Sequence, residues 1–240
     1  MSGTEEKKPA RQRILETASE LFYRDGVRAV GIDAIIARSG VAKMSLYRNF
    51  QSKDELVTAW LEERNRFFWQ RWDKAEASCS GEPRARLEAV LDMVAATTSH
   101  PKWRGCPFLN TTTEFPEPAH PARRVILAHK DAVRQRLRDL AAAAGARDPD
   151  LLAQQLQLLI DGAYAIGQSL GPHGSASAVS SAGRALIAAQ LGVQPAPHPP
   201  ADAGPSLSPL ARGEGSPQPS PSPRLRGAGR GEGKEHDGGH

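Results

Sequence analysis

From Pro9 to Gly192 the apolar residues recur every three or four positions, and no alternating run of Val, Ile, Thr and aromatics reaches useful length. A chain patterned this way buries its apolar side chains by packing helix on helix, so the expected class is all-α. Glycines, prolines and capping residues divide the span into about nine helices. Ile14, Leu15, Ala18, Leu21 and Phe22 form one stripe over residues 10–25, ended by Gly26. Short helices fit residues 33–39, closed by Gly40, and 42–50. Ser52-Lys53-Asp54-Glu55 reads as a capping box that opens a long helix to Ala77. Pro83 begins a fifth helix to Ser99, and a short one fits 108–114 within the proline-broken stretch 100–121. Another covers 122–144, ended by Gly145; Asp148-Pro149 caps one over 151–170, and the last covers 176–191.

Beyond residue 192 the pattern stops. Residues 193–240 carry 10 of the 19 prolines and 9 of the 22 glycines, and no aromatic residue lies beyond Tyr164. That segment has too little apolar surface to offset its chain entropy and is expected to be disordered. It reads either as an extension adding weak, salt-sensitive nucleic-acid contact or as a stretch with no task. About 190 residues remain to fold. The net charge of +4, from 31 basic and 27 acidic residues, is too mild to identify a nucleic-acid partner by itself.

Several classes are excluded. No apolar stretch is long enough to span a membrane. The polar start MSGTEEKKPARQR lacks the apolar run of a signal peptide, so a cytoplasmic protein is expected. Cys79 and Cys106 cannot build a disulfide framework. No HExxH, GxSxG or P-loop pattern occurs, and no Cys or His pair has zinc-finger spacing. Gly227-Ala228-Gly229-Arg230-Gly231 follows no strand and opens no helix, so it is no phosphate loop. Neither an enzyme, a metal nor a cofactor is expected.

The informative signal lies in the first 55 residues. Two short helices meet at Ser39-Gly40-Val41, a tight turn whose glycine can take the left-handed conformation. The helix after it presents Lys43, Met44, Ser45, Tyr47, Arg48 and Asn49 outward, while Leu46 and Phe50 face inward. A cationic, hydrogen-bonding face on a short helix suits the DNA major groove. Lys53, at the start of the next helix, is placed for a backbone phosphate. Read alone, these charges also suit the solvated face of an ordinary bundle.

The surrounding residues favour the first reading. The span Arg11 to Leu61 resembles the TetR family of transcriptional regulators through Ile14-Leu15, Leu21-Phe22, Gly26, the Ile35-to-Val41 turn, Leu46-Tyr47, Phe50 and Ser52-Lys53-Asp54-Glu55-Leu56. Residues 62–192 are similar to the family in helix number and length. The resemblance implies a flexible start over 1–9, a helix–turn–helix DNA-binding domain over 10–55, a ligand-binding and dimerisation domain over 56–192, and the tail. It implies a homodimer that binds a palindromic double-stranded DNA operator, most simply as a repressor released by a small-molecule or thiol-reactive effector. An activator or an architectural DNA binder is the alternative; an enzyme or small-molecule binder with an idle helix–turn–helix is a more distant one. By position, Lys43, Met44, Ser45, Tyr47 and Asn49 would lie in or beside the groove, Tyr47 and Lys53 would bind phosphates, and Arg48 could do either. The chain departs from the family at Gly31 and Ala42, which stand where Ser or Thr usually caps helices two and three, and at Ile36, where a small residue is common.

For the ligand half, Trp69, Trp72, Trp103, Phe108, Phe115 and Tyr164 are candidates for a cavity wall. Asn110, Thr111, Thr112, Thr113, Glu114, His129 and Gln155 are the polar candidates. Cys106 follows Arg104-Gly105 at the start of a short helix, where a cation and the helix N-terminus would lower a thiol pKa and make a reactive switch. A small buried side chain is the other reading of that cysteine. The stripes Leu152, Leu156, Leu159, Ile160, Ala163, Gly167 and Ala178, Ala182, Gly183, Leu186, Ala189, Gln190 read as a dimer interface of two closely packed helices from each chain, or as intrachain packing.

Overall fold

The computed structural model describes residues 8–79, 81–171 and 176–192. The tail expected to be disordered lies outside them. Among the described residues there are nine helices and no strand: α1 (Ala10–Asp25), α2 (Ile32–Ser39), α3 (Lys43–Asn49), α4 (Lys53–Ala77), α5 (Pro83–Thr98), α6 (Pro107–Glu114), α7 (Pro121–Ala143), α8 (Pro149–Leu170) and α9 (Ala176–Gln190). The sequence boundaries differ from these by one or two residues, the usual scatter at fraying ends.

Local chemistry accounts for the ends. Gly40 closes α2 at φ 63 and ψ 31, and its N–H donates to the Ile36 carbonyl at 3.1 Å. Only glycine adopts that conformation without strain, so α3 can leave α2 through a three-residue turn, Gly40, Val41 and Ala42. Ser52 caps α4 by accepting from the Glu55 N–H at 3.1 Å. Glu55 reaches back to the Gln51 N–H at 2.6 Å, one residue earlier than in the standard box. Asp148 accepts from the Leu151 N–H at 3.0 Å and is followed by Pro149 at the first turn of α8. Gly31 and Ala42 cap α2 and α3 without a side-chain bond.

The first three helices fold around Ile14, Ala18, Phe22, Ile35, Leu46 and Phe50, all at most 2% exposed. Leu46 and Phe50 face inward as expected and seat α3 on α1. This small core runs directly into α4, where Trp60 meets Phe22 edge-on at 5.5 Å. The body is built from α4, α5, α7, α8 and α9, with α7 on α8 and α5 on α9 among its main packings. No described helix is long and apolar enough to cross a membrane.

The α8 interface stripe is corrected by this packing. Leu152, Leu156, Ile160, Ala163 and Gly167 are buried within the chain, and Leu159 is half-buried. In α9, Gly183 lies against Leu91 of α5, where a Cβ would overlap the leucine side chain. Ala178 and Ala189 do face outward. The apolar surface left over on α8 is a different stripe: Leu151, Leu158, Ile166 and Leu170, with Leu158 75% exposed. α8 is apolar on two faces, and a helical period alone cannot tell which one the chain's own neighbours cover.

Candidate nucleic-acid interface and ligand cavity

α3 projects from the head with Lys43, Met44, Tyr47 and Arg48 exposed, Met44 at 66% and Tyr47 at 42%. Folding alone gives no reason to leave a methionine and a tyrosine in water beside two cations; a partner surface does. Lys43 makes a loose, exposed ion pair with Asp33 at 3.6 Å. Ser45 and Asn49 are half-buried, and the Asn49 side-chain amide donates to the Ser45 carbonyl at 2.7 Å. Asn49 is therefore folded back on its own helix. Lys53 is half-buried too; burial pushes its pKa down, partly offset by the carboxylates of Glu114 and Asp54.

Two sets of hydrogen bonds join this head to the body. The turn after Gly26 (φ 89) aims two successive backbone N–H groups at one carboxylate: Val27 donates to Glu114 Oε1 at 3.0 Å and Arg28 to Oε2 at 2.6 Å. Glu114 is the last residue of α6. Nearby, the Tyr23 hydroxyl of α1 donates to the Gly105 carbonyl at 3.2 Å and accepts from the Arg104 N–H at 3.0 Å. Asn110 supports the same segment by donating to the Arg104 carbonyl at 3.0 Å.

Behind that segment lies a cavity of about 380 Å³, bounded by α1, α4, α5, α7, α8 and the start of α6, within the size range of small-molecule sites. Five of the expected lining residues reach it: Trp103, Cys106, Phe108, His129 and Tyr164. Trp103 lies 5.3 Å from Tyr164, and the His129 ring stacks on Phe108 at 3.7 Å. Burial, reinforced by the adjacent Lys130, lowers the His129 pKa to about 3. The ring is neutral, and its Nδ1–H donates to Asn65 Oδ1 at 2.8 Å.

The other candidates lie away from this cavity, apart from Cys106. Trp72 is fully buried core and donates its indole N–H to Glu76, while Trp69 packs against Phe68 and Trp72. Asn110 holds backbone beside a neighbouring groove, Gln155 is half-buried on α8, and neither lines the cavity; nor do residues 111–115. Cys106 does line it, as the N-cap of α6, but its thiol is 4% exposed and burial pushes its pKa up. The N–H groups of Phe108 and Leu109 and the charge of Lys130, not Arg104, act in the opposite direction and do not prevail. The buried, protonated reading of Cys106 replaces the thiolate one.

Among the lining residues missed by the sequence reading are Arg64, Phe67, Phe68 and Arg71, which come from α4. Their spacing of three and four places them along one helix face, and an arginine at each end of an aromatic pair was the available signal.

An exposed recognition helix on a three-helix head, bonded to a helical body that encloses a cavity, defines a helix–turn–helix DNA-binding regulator. The family pattern for bacterial regulatory proteins of the tetR family matches residues 14–60, and that for the tetracyclin repressor-like C-terminal domain matches residues 83–182. The TetR-family regulator SCO4454 from Streptomyces coelicolor is 34% identical, with a TM-score of 0.68 over 76% of this chain and 94% of its own. The tetR-type regulator sav143 from Streptomyces avermitilis is 37% identical, with a TM-score of 0.68 over 76% and 98%. The HTH-type transcriptional activator FasR of Mycolicibacterium smegmatis is 46% identical over 52 residues, which are 22% of this chain and 24% of that protein. The chain belongs to the TetR family of transcriptional regulators, a family of DNA-binding proteins and not of enzymes.

Proposed function

We propose that this regulator is a homodimeric repressor released from its operator by a small molecule held in the α4–α8 cavity. The single observation that carries the reading is the pair of clips between cavity wall and head: Tyr23 on residues 104–105, and Glu114 on the N–H groups of Val27 and Arg28. The cavity wall runs through Trp103, Cys106 and Phe108, which lie between and beside those clips. A ligand that moves this wall acts on α1 and on the turn before α2 without an intermediary.

In this reading Lys43, Met44, Ser45, Tyr47 and Asn49 of α3 lie in or beside the major groove, Tyr47 and Lys53 hold phosphates, and Arg48 serves either contact. The exposed stripe Leu151, Leu158, Ile166 and Leu170, with Ala178 and Ala189 of α9, supports pairing of two chains. A dimer sets two recognition helices about one DNA turn apart, roughly 34 Å, matched to a palindrome. A transcriptional activator is the second reading, and the relative named as an activator favours it.

The test is binding of the purified chain to DNA upstream of its own gene and to random DNA of equal length, across a salt series. A preference for the upstream DNA whose affinity falls with salt supports the reading; equal affinity for both sinks it. A reporter placed behind that DNA then separates the two modes. Expression that falls when the regulator is supplied marks a repressor, and expression that rises marks an activator.

A further inference from the structure

One side chain on the cavity wall lacks the partner its chemistry requires. Arg64 of α4 is half-buried and carries a charge that no protein environment removes. Its Nη2 donates to the Ser19 hydroxyl at 2.7 Å, and its guanidinium lies 5.2 Å from the Tyr23 ring centre. Its Nε–H is buried with no acceptor among the described residues. Among the described residues no Asp or Glu lines the cavity and none forms an ion pair with Arg64. On its other side Arg64 borders an outer groove with Glu16, Glu20 and Glu63; Glu16 is taken by Lys8, Glu20 by Arg38, and Glu63 supports the Arg64 charge without an ion pair.

A half-buried guanidinium without an ion-pair partner carries a cost that a bound anion reduces. Arg71 and Lys102 add two more cations to the lining. The remainder is aromatic, with Phe67, Phe68, Phe108 and Tyr164 around a volume suited to a compact ring.

We propose that the cavity takes a small aromatic monocarboxylate, its carboxylate on the Arg64 guanidinium and its ring among the cavity aromatics. This rests on the reading of the cavity as the effector site. It also supplies the regulatory step, because Arg64 is tied to α1 through Ser19 and Tyr23. A carboxylate that captures the guanidinium competes for the bond to Ser19 and loosens the first helix of the DNA-binding head.

The experiment uses the full chain without DNA, with benzoate, phenylacetate and cinnamate set against their neutral amides at millimolar concentration. Thermal melting and titration calorimetry are the readouts. At least one acid is expected to raise the melting temperature by several degrees while its amide does not. Arg64→Gln is expected to weaken that acid about tenfold or more and Arg64→Lys severalfold, with helix content unchanged. Arg64→Lys keeps the charge without the two-pronged donor and decides the matter if Arg64→Gln does not fold. Amides that bind as well as acids, a panel in which no acid binds, or variants that bind the acid like wild type each overturn the proposal. DNA binding by the ligand-free chain is measured separately; its failure counts against the regulator reading and leaves the ligand class to be judged by calorimetry.

Discussion

The cations of α3 and the cation of the cavity face opposite situations. Lys43 and Arg48 stand in water, where hydration satisfies them and salt screens them. They suit a partner that brings many phosphates of its own and displaces counterions. Arg64 sits half-buried with one N–H cut off from any acceptor, so screening is weak and one well-placed anion matters. In the proposed reading the same kind of charge serves a broad polyanionic surface in the head and a single small ligand in the body. Exposure is what separates the two roles.

The head's dependence on a very small core gives the largest expected effect. Leu46 is fully buried beneath α3, and Leu46→Ala should cost about 2–5 kcal/mol. If head and body are energetically distinct, urea unfolding followed by hydrogen exchange will show loss of protection in residues 10–50 before the body. Simultaneous loss in both regions would mean that they unfold as one.

Acid should act on the body. His129 has a folded pKa of about 3, below the ordinary histidine value of 6.5, so between those pH values the unfolded chain binds the extra proton. Stability from this group is full above about pH 6.5 and falls as pH drops toward 3, by about 2 kcal/mol at pH 5. Chemical denaturation at pH 7 and pH 5 checks this, and His129→Phe should flatten the difference.

The clip between the regions comes next. Glu114→Gln leaves one acceptor for the Val27 and Arg28 N–H groups and turns an NH2 donor toward the other, a loss of about 1–2 kcal/mol. It should change ligand-induced release of DNA more than ligand affinity itself. Equal changes in both would place the coupling elsewhere. The smallest effect is local to α3: Ala42→Ser restores a side-chain cap and should stabilise the head by about 1 kcal/mol or less, read as a raised melting temperature.

The two regions also differ in how far they could be read from the chain. The head was legible because its devices are local. Gly40 needs only its neighbours to turn α2 into α3, Ser52 caps a residue three positions away, and Leu46 and Phe50 sit one turn apart. The cavity was half legible. Trp103, Phe108, His129 and Tyr164 were recognised by type, yet Trp72, of the same type, is solid core. Cys106 shows the failure most clearly: its position at a helix N-terminus was read correctly, and burial then reversed the expected direction of its pKa.

The sequence by itself determined that the chain is helical, where the helices start and stop, and which face of α3 is polar. Those properties follow from interactions between residues within about four positions of each other. Only the tertiary structure decided which face of α8 is covered, which aromatics enclose space and which fill it, and that Arg64 lines the cavity without an ion-pair partner among the described residues. These depend on residues brought together from as many as six helices, and burial, which sets the energy of a charge or a thiol, is a property of that assembly.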